Sequence, residues 1–485
     1  MSSIKDLEPK VVWNNFYSLT QIPRPSKHEQ KAQDFLYDWG KKHGIETIKD
    51  DTGNIIFRVP ATPGYENRRG VILQGHMDMV PQKVASSNHD FLNDPIQTEI
   101  YGEWVGAKGT TLGADNGMGI ALGMAVCESK DIKHGPIEVL ATYDEETGMT
   151  GAQNLKPGVL QGDILINLDS EEEGELCIGC AGGLDAVADF EFQYVPSPEG
   201  YKAYKIEVKG LQGGHSGMDI SLYRGNANKI VTRAIVESVD CGCALLADFC
   251  GGSLRNAIPF EAQAVILVSD EKKDKVLAKI EQNLANSKKC FEQSDPDMKY
   301  SCTPCDLPEC YIEQKVAVNA LKAILACPSG VIRMSQSMPG LTETSTNLAI
   351  VRCKDGHLTV ASLMRSAIDA SKAGLAKRIG YIFELAGAKV TFAGGYSGWI
   401  PKPDLPIIKV MRDTYKNLFG KEMKVFATHG GLECALMGAT YPNWEMVSIG
   451  PTIVHPHSPD ERVKIDTVGM CLEYLKAVLE NIPCK

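Results

Sequence analysis

The sequence predicts an α/β domain with a mostly parallel central sheet, interrupted by a large α+β insertion. Three observations carry this. Short apolar runs at 71–73, 137–142 and 164–168 are each bounded by Gly, Pro or Asp, as strands buried on both faces are. After about Gly182 the pattern changes to polar/apolar alternation, at 188–193 and 204–209, the mark of half-solvated strands. Beyond Gly398, Pro401 and Pro403 the first style returns, with a buried run at 446–449.

In order along the chain, 11–19 and 28–43 read as helices and 54–59 as a strand. Residues 116–128 are rich in Gly, Ala and Met and read as a buried helix, with Asp115 and Asn116 at its start, where such residues cap well. Within the insertion, 226–239 reads as a helix, 262–269 as a strand and the polar stretch 287–310 as a loop. Strands at 358–364 and 388–393 flank a helix at 371–386. The chain closes with helices at 407–418 and 465–482 around the last strand. The expected domains are 1–182 with 399–485, forming the α/β body, and 183–398, forming the insertion.

A chain of 485 residues, 43% apolar, buries enough surface to fold without staples. A bound metal would therefore serve function rather than folding. The formal net charge of −11 argues against a nucleic-acid partner, since no basic stripe is present to neutralise phosphates. The charged start, MSSIKDLEPK, shows no signal peptide, and no apolar run approaches the ~18 residues of a membrane span. The expectation is a cytoplasmic protein. Its 15 cysteines are scattered and odd in number, and read as reduced thiols. Cys290, Cys302, Cys305 and Cys310 lie close in sequence. They read as loop thiols, with a structural zinc as the open alternative.

Each buried run ends in acids or histidine: His76 and Asp78 after the first, Asp144, Glu145 and Glu146 after the second, Asp169 after the third. Ligand sites in open α/β sheets form at the carboxyl ends of strands. Parallel strands would bring these groups to one rim, with Asp115 at the start of the intervening helix and His457 following the last strand. So many carboxylates in one place raise each other's pKa or require a cation. Mixed His/Asp/Glu ligation suits zinc, with manganese or cobalt as alternatives. One carboxylate can bridge two ions, and a spare glutamate can take a proton from the water between them.

The strings QGHMDMVP, GTTLGADNGMG, YDEETGMTGA, INLDSEEEGE, KGLQGGHSG, GGSLRNAIP and SIGPTIVHPHSPDE resemble the di-zinc peptidases related to aminoacylase, glutamate carboxypeptidase and carnosinase, most of all the aminoacyl-histidine dipeptidases. The resemblance runs over essentially the whole chain. It implies two divalent ions, zinc or else cobalt or manganese. His76, Asp115 and Asp169 would hold one, and Asp115, Glu146 and His457 the other. It also implies that Asp78 orients His76, that Glu145 is the general base, and that the Asp115–Asn116 peptide is cis. His455 competes with His457, and the motif favours His457.

In the insertion, the resemblance makes His215 the partner of the scissile carbonyl oxygen. Asn256, Arg365, Gly430 and Gly431 become groups that grip the substrate, Arg365 through a bidentate contact to a carboxylate. The insertion would serve as a lid and as the interface of a homodimer. The implied activity is hydrolysis of small dipeptides, Xaa-His among them, by a water bridging the two ions. The alternatives are an acylamino-acid deacylase or carboxypeptidase of the same fold and, more remotely, a non-catalytic peptide-binding relative.

Overall fold

The computed structural model describes residues 3–485. It divides into two compact units: residues 1–179, 401–427 and 432–485 make the first, and 180–400 with 428–431 the second. The fold class is the one expected.

The first unit is built on an eight-stranded sheet. Its order is Glu46–Lys49, Ile55–Val59, Ile137–Thr142, Val71–His76, Ile164–Asn167, Glu445–Ser448, Glu175–Cys180 and Lys424–Thr428. The four strands from Ile137–Thr142 to Glu445–Ser448 run parallel; Ile55–Val59 and Glu46–Lys49 extend one side antiparallel. Ile137–Thr142, Val71–His76 and Ile164–Asn167 are buried at every residue, which explains their unbroken apolar runs. Register sets His76 opposite Thr142, Gln74 opposite Asn167 and Asn167 opposite Ser448. The strands thus end level, and the acids that follow them share one rim.

The helix Ala114–Glu128 packs on Val71–His76. Close approach requires glycine in the strand: a Cβ at Gly75 would lie 2.1 Å from Asn116 Oδ1. A four-stranded antiparallel sheet, Ile453–Val454, Arg462–Lys464, Trp104–Ala107 and Thr98–Tyr101, carries the 455–461 loop between its first two strands.

The second unit is a nine-stranded antiparallel sheet, with Tyr201–Lys209, Ala262–Ser269, Leu245–Gly251, Thr342–Lys354 and His357–Ser366 in its interior. The helices Ala227–Asp240, Lys273–Cys290, Gln314–Ala326 and Asp369–Leu385 supply buried residues to the core it shares, among them Ile235, Ile280, Leu321 and Ile379.

One expectation fails here. Residues 287–310 are not a loop: Ser287 and Cys290 end the helix Lys273–Cys290, and Lys299–Cys305 is an edge strand. An edge strand pairs on one side only, here with Tyr201–Lys209, and so tolerates the polar composition that disguised it. The sulfurs of Cys241 and Cys243, two residues apart in sequence, lie against each other. Among the described residues, no group able to hold a metal ion includes Cys290, Cys302, Cys305 or Cys310.

A candidate metal centre at the strand ends

His76 closes its strand and is 1% exposed. Its Nε2 lies 3.0 Å from Asp115 Oδ1 and 3.4 Å from Asp169 Oδ1. The other oxygen of Asp115, Oδ2, lies 3.1 Å from His457 Nε2, which is also 3.1 Å from Glu146 Oε2. Two groups with ligand atoms within 4.8 Å of one another result, His76–Asp115–Asp169 and Asp115–Glu146–His457. They share Asp115, through a different oxygen in each. His455 belongs to neither.

The electrostatics follow from crowding. Burial pushes Asp169 up to about 6, though His76 opposes this. Burial would raise Asp115 too, but His457 and His76 outweigh it and hold its carboxyl below the usual range. Hydrogen bonds to Asp115 and Glu146 drive His457 up to about 11. Burial alone would lower His76; the acids Asp169, Asp115 and Asp78 win and raise it. Both histidines thus hold protons only because acids surround them, the situation a cation relieves by taking the protons' place. Glu146 Oε1 is buried without a hydrogen-bond partner, an acceptor left for such an ion. The donor set of imidazole nitrogens and carboxylate oxygens fits two divalent ions.

Glu145 is half-buried, and the desolvation of its carboxyl pushes its pKa well up; Asp169, Glu433 and Glu146 add to the rise and His76 opposes it. The turn bearing it is fixed from two sides. Asp78 accepts the N–H of Glu145 at 3.0 Å and of Glu146 at 3.2 Å, and faces His76 Nδ1 at 3.2 Å. Glu29 Oε1 accepts the N–H of Asp144 at 3.1 Å, a residue whose φ is +52°. The Asp115–Asn116 peptide is cis, and Asn116 Nδ2 donates to Leu168 O at 2.7 Å, tying the helix start to the strand end before Asp169.

Sequence reasoning missed the buried groups Glu29, Arg24 and Glu461 around this centre. Glu433 accepts from Gln74 and Thr142, each at 2.7 Å. Arg24, 1% exposed, donates to the carbonyls of Met77, Asp78 and Gly113. Glu461 accepts backbone N–H groups ahead of Asp115. Glu461 stands in the motif string PHSPDE and Arg24 in no motif string, and a side chain that serves backbone atoms has no spacing to betray it.

In the second unit, His215 Nδ1 accepts the N–H of Met218 at 3.1 Å and of Gly217 at 3.3 Å. Its Nε2 lies 3.5 Å from Arg365 Nη2; burial and then Arg365 lower its pKa and favour the neutral form. Arg365, 5% exposed, donates Nε–H to Ser216 Oγ and Nη1–H to Tyr396 Oη, each at 3.3 Å. Among the described residues no carboxylate lies within ion-pair distance of it. Asn256 is exposed, with its carbonyl taken by the Ser216 N–H. The Gly430–Gly431 turn needs correction as a source of two donors. The Gly430 N–H already donates to Thr428 Oγ1 at 3.0 Å.

A parallel sheet with candidate His/Asp/Glu metal sites at its strand ends is an arrangement suited to a metal-dependent hydrolase. Residues 72–481 match the peptidase family M20/M25/M40, and the chain belongs to that family. It is 42% identical over 487 residues to the cytosol non-specific dipeptidase of Escherichia coli (strain K12), with both chains covered in full. The crystal structure of aminoacylhistidine dipeptidase from Vibrio alginolyticus superimposes with a TM-score of 0.95 at 44% identity, covering 100% of this chain and 99% of that one. A tripeptidase from Staphylococcus aureus shares the fold, with a TM-score of 0.57 at 16% identity over 98% and 99% of the two chains.

Proposed function

We propose that this protein is a cytoplasmic dipeptidase that hydrolyses Xaa-His and other dipeptides at a centre of two divalent ions, zinc in the first instance. One observation carries the reading: the two oxygens of Asp115 face separate groups, His76 with Asp169 and His457 with Glu146. Two full-length relatives bear dipeptidase names, and no helix is long and apolar enough to cross a membrane.

Divalent ions held there by His76, Asp115, Asp169, Glu146 and His457 would supply Lewis-acid polarisation of the scissile carbonyl and activation of a water. Glu145 would accept a proton from the attacking water and pass it to the leaving nitrogen. Desolvation keeps its carboxyl basic enough for both transfers. Asp78 holds His76 in one orientation and Glu145 in place. His215 serves the carbonyl oxygen, adding a fixed donor where negative charge develops. Arg365, buried without an acid partner, takes the substrate's terminal carboxylate, with Asn256 and the Gly431 N–H beside it. We further assign the second unit as the interface of a homodimer, supported by exposed Met218, Leu222 and Tyr223 in one segment.

The test is hydrolysis of β-alanyl-histidine, glycyl-histidine, alanyl-alanine and an N-acetyl amino acid by purified protein, before and after chelation and with zinc, manganese or cobalt restored. Chelator-sensitive cleavage of the dipeptides, fastest with histidine, is expected. Cleavage of the N-acetyl amino acid alone would make the protein a deacylase instead.

A further inference from the structure

The carboxylate of Glu461 accepts four consecutive backbone N–H groups. Oε2 takes those of Leu112 at 2.7 Å and Gly113 at 2.9 Å; Oε1 takes those of Ala114 at 2.7 Å and Asp115 at 3.1 Å. The side chain is 2% exposed. These N–H groups lie on the turn that leads into the helix Ala114–Glu128, where Asp115 and Asn116 still have non-helical backbone, so regular helix hydrogen bonding does not serve them. Buried and unpaired, each would cost about 1–3 kcal/mol. Arg24 holds the same turn from the carbonyl side, through Gly113 O. Gly113 has φ +71°, and a Cβ there would lie 2.6 Å from Arg24 Nη2, so the residue at 113 must be glycine for the arginine to reach.

What makes this more than a cap is where Glu461 stands. It lies on the same loop as His457, whose side chain is 52% exposed and whose φ is +59°. Little packing holds that imidazole. The loop closes on itself: Ser458 Oγ donates to His455 O at 3.0 Å, Asp460 N–H to Ser458 Oγ at 3.1 Å and Glu461 N–H to Ser458 O at 3.0 Å. Glu461 then joins this turn to the backbone of Asp115. The two ligands are 342 residues apart in sequence, yet one carboxylate fixes the distance between them.

Resting on the metal-centre reading above, we propose that Glu461 is a positioning residue for the ion held by Asp115, Glu146 and His457, setting that ion's affinity without touching substrate. The ion held by His76, Asp115 and Asp169 depends on it less, because His76 is fixed by its strand and by Asp78.

The experiment compares full-length wild type with E461Q, both stripped by chelator and titrated with Zn²⁺ or Co²⁺ alone under equilibrium dialysis. The wild type should take up two ions. E461Q should take up the first with near-wild-type affinity and the second at least ten-fold more weakly. Its dipeptidase kcat should recover toward wild type as free metal is raised, with KM unchanged. Two ions bound with wild-type affinity overturns the proposal. So does equal weakening of both, which marks a general structural defect. A wild type that binds no ion sinks the reading of the site instead. Hydrogen exchange then still decides whether Glu461 clamps the turn, as it does if E461Q fails to fold. In metal-free wild type the amides of 112–115 should exchange as slowly as those of the central strands, and exchange as fast as an exposed loop overturns the proposal.

Discussion

Asp78 Oδ1 accepts the backbone N–H of Glu145 at 3.0 Å, so the carboxylate that orients His76 also orients the proposed base. Its Oδ2 receives the Ser26 hydroxyl at 2.8 Å and the Glu146 N–H at 3.2 Å. Asp78→Asn would set an amide N–H₂ against some of these donors. We expect metal affinity or kcat to fall ~10–100-fold, the usual cost of losing a carboxylate behind a ligating histidine. Metal titration and steady-state kinetics on the variant measure both, and unchanged values would mean that the strand alone orients His76.

Glu145→Gln keeps the shape of the side chain and removes its basicity. The turn is held by backbone N–H groups, so it should survive. Elemental analysis should find the metal content of wild type, while kcat falls ~10²–10⁴-fold, the range of general acid–base help. Retained activity would assign the proton transfer to another group, Glu433 being the next buried acid.

Removing metal should leave the protein folded, because the cores of both units are apolar. Stability should nonetheless drop, since the acids of the centre then face one another without a cation. Ligand linkage gives about 2.7 kcal/mol per ion at one hundred times its Kd. Differential scanning calorimetry with chelator and with restored zinc should record a transition a few degrees lower without metal. An unchanged transition would mean that the ions bind the native state no better than the unfolded chain.

His429 tests the second unit. It is 5% exposed, with Nε2 2.7 Å from Ser345 Oγ. Burial, then Arg365 and His215, lower its pKa to about 3, against ~6.5 in an unfolded chain. Between those values the unfolded state binds a proton that the folded state does not. Stability contributed by this residue is therefore fully present above pH ~6.5 and is lost as pH falls toward 3, by up to about 1.4 kcal/mol per unit. In metal-free protein, the urea midpoint of His429→Gln should fall less between pH 7 and pH 5 than that of wild type. Parallel slopes would show that His429 does not carry this acid sensitivity.

Much of this was legible in the sequence because strand-end chemistry is periodic. An unbroken apolar run followed by QGHMD or YDEE announces both a buried strand and what stands at its mouth. Motif resemblance separated His457 from His455, and only His457 lies within reach of Asp115 and Glu146. Glu461, Glu29 and Arg24 stayed hidden because they bind main-chain atoms, which every residue type presents alike. The strand Lys299–Cys305 was lost for a related reason. Its hydrogen bonds to Tyr201–Lys209 come from backbone, while its side chains, none of them buried, carry no apolar alternation. The resemblance made Gly430 a group that grips the substrate, and a local bond to Thr428 engages its N–H.

The strand Glu445–Ser448 lies inside the catalytic sheet, between Ile164–Asn167 and Glu175–Cys180. During synthesis, at ~5–20 residues per second, the ribosome would release the first three parallel strands roughly 15–50 s before the fourth. Through that interval the sheet lacks an inner member, and Asp115 lacks both His457 and Glu461. A nascent or truncated chain therefore carries the buried half of the centre without the other half. The contacts of Asp115 with His457 and Glu461 can form only after residue 461 has been made.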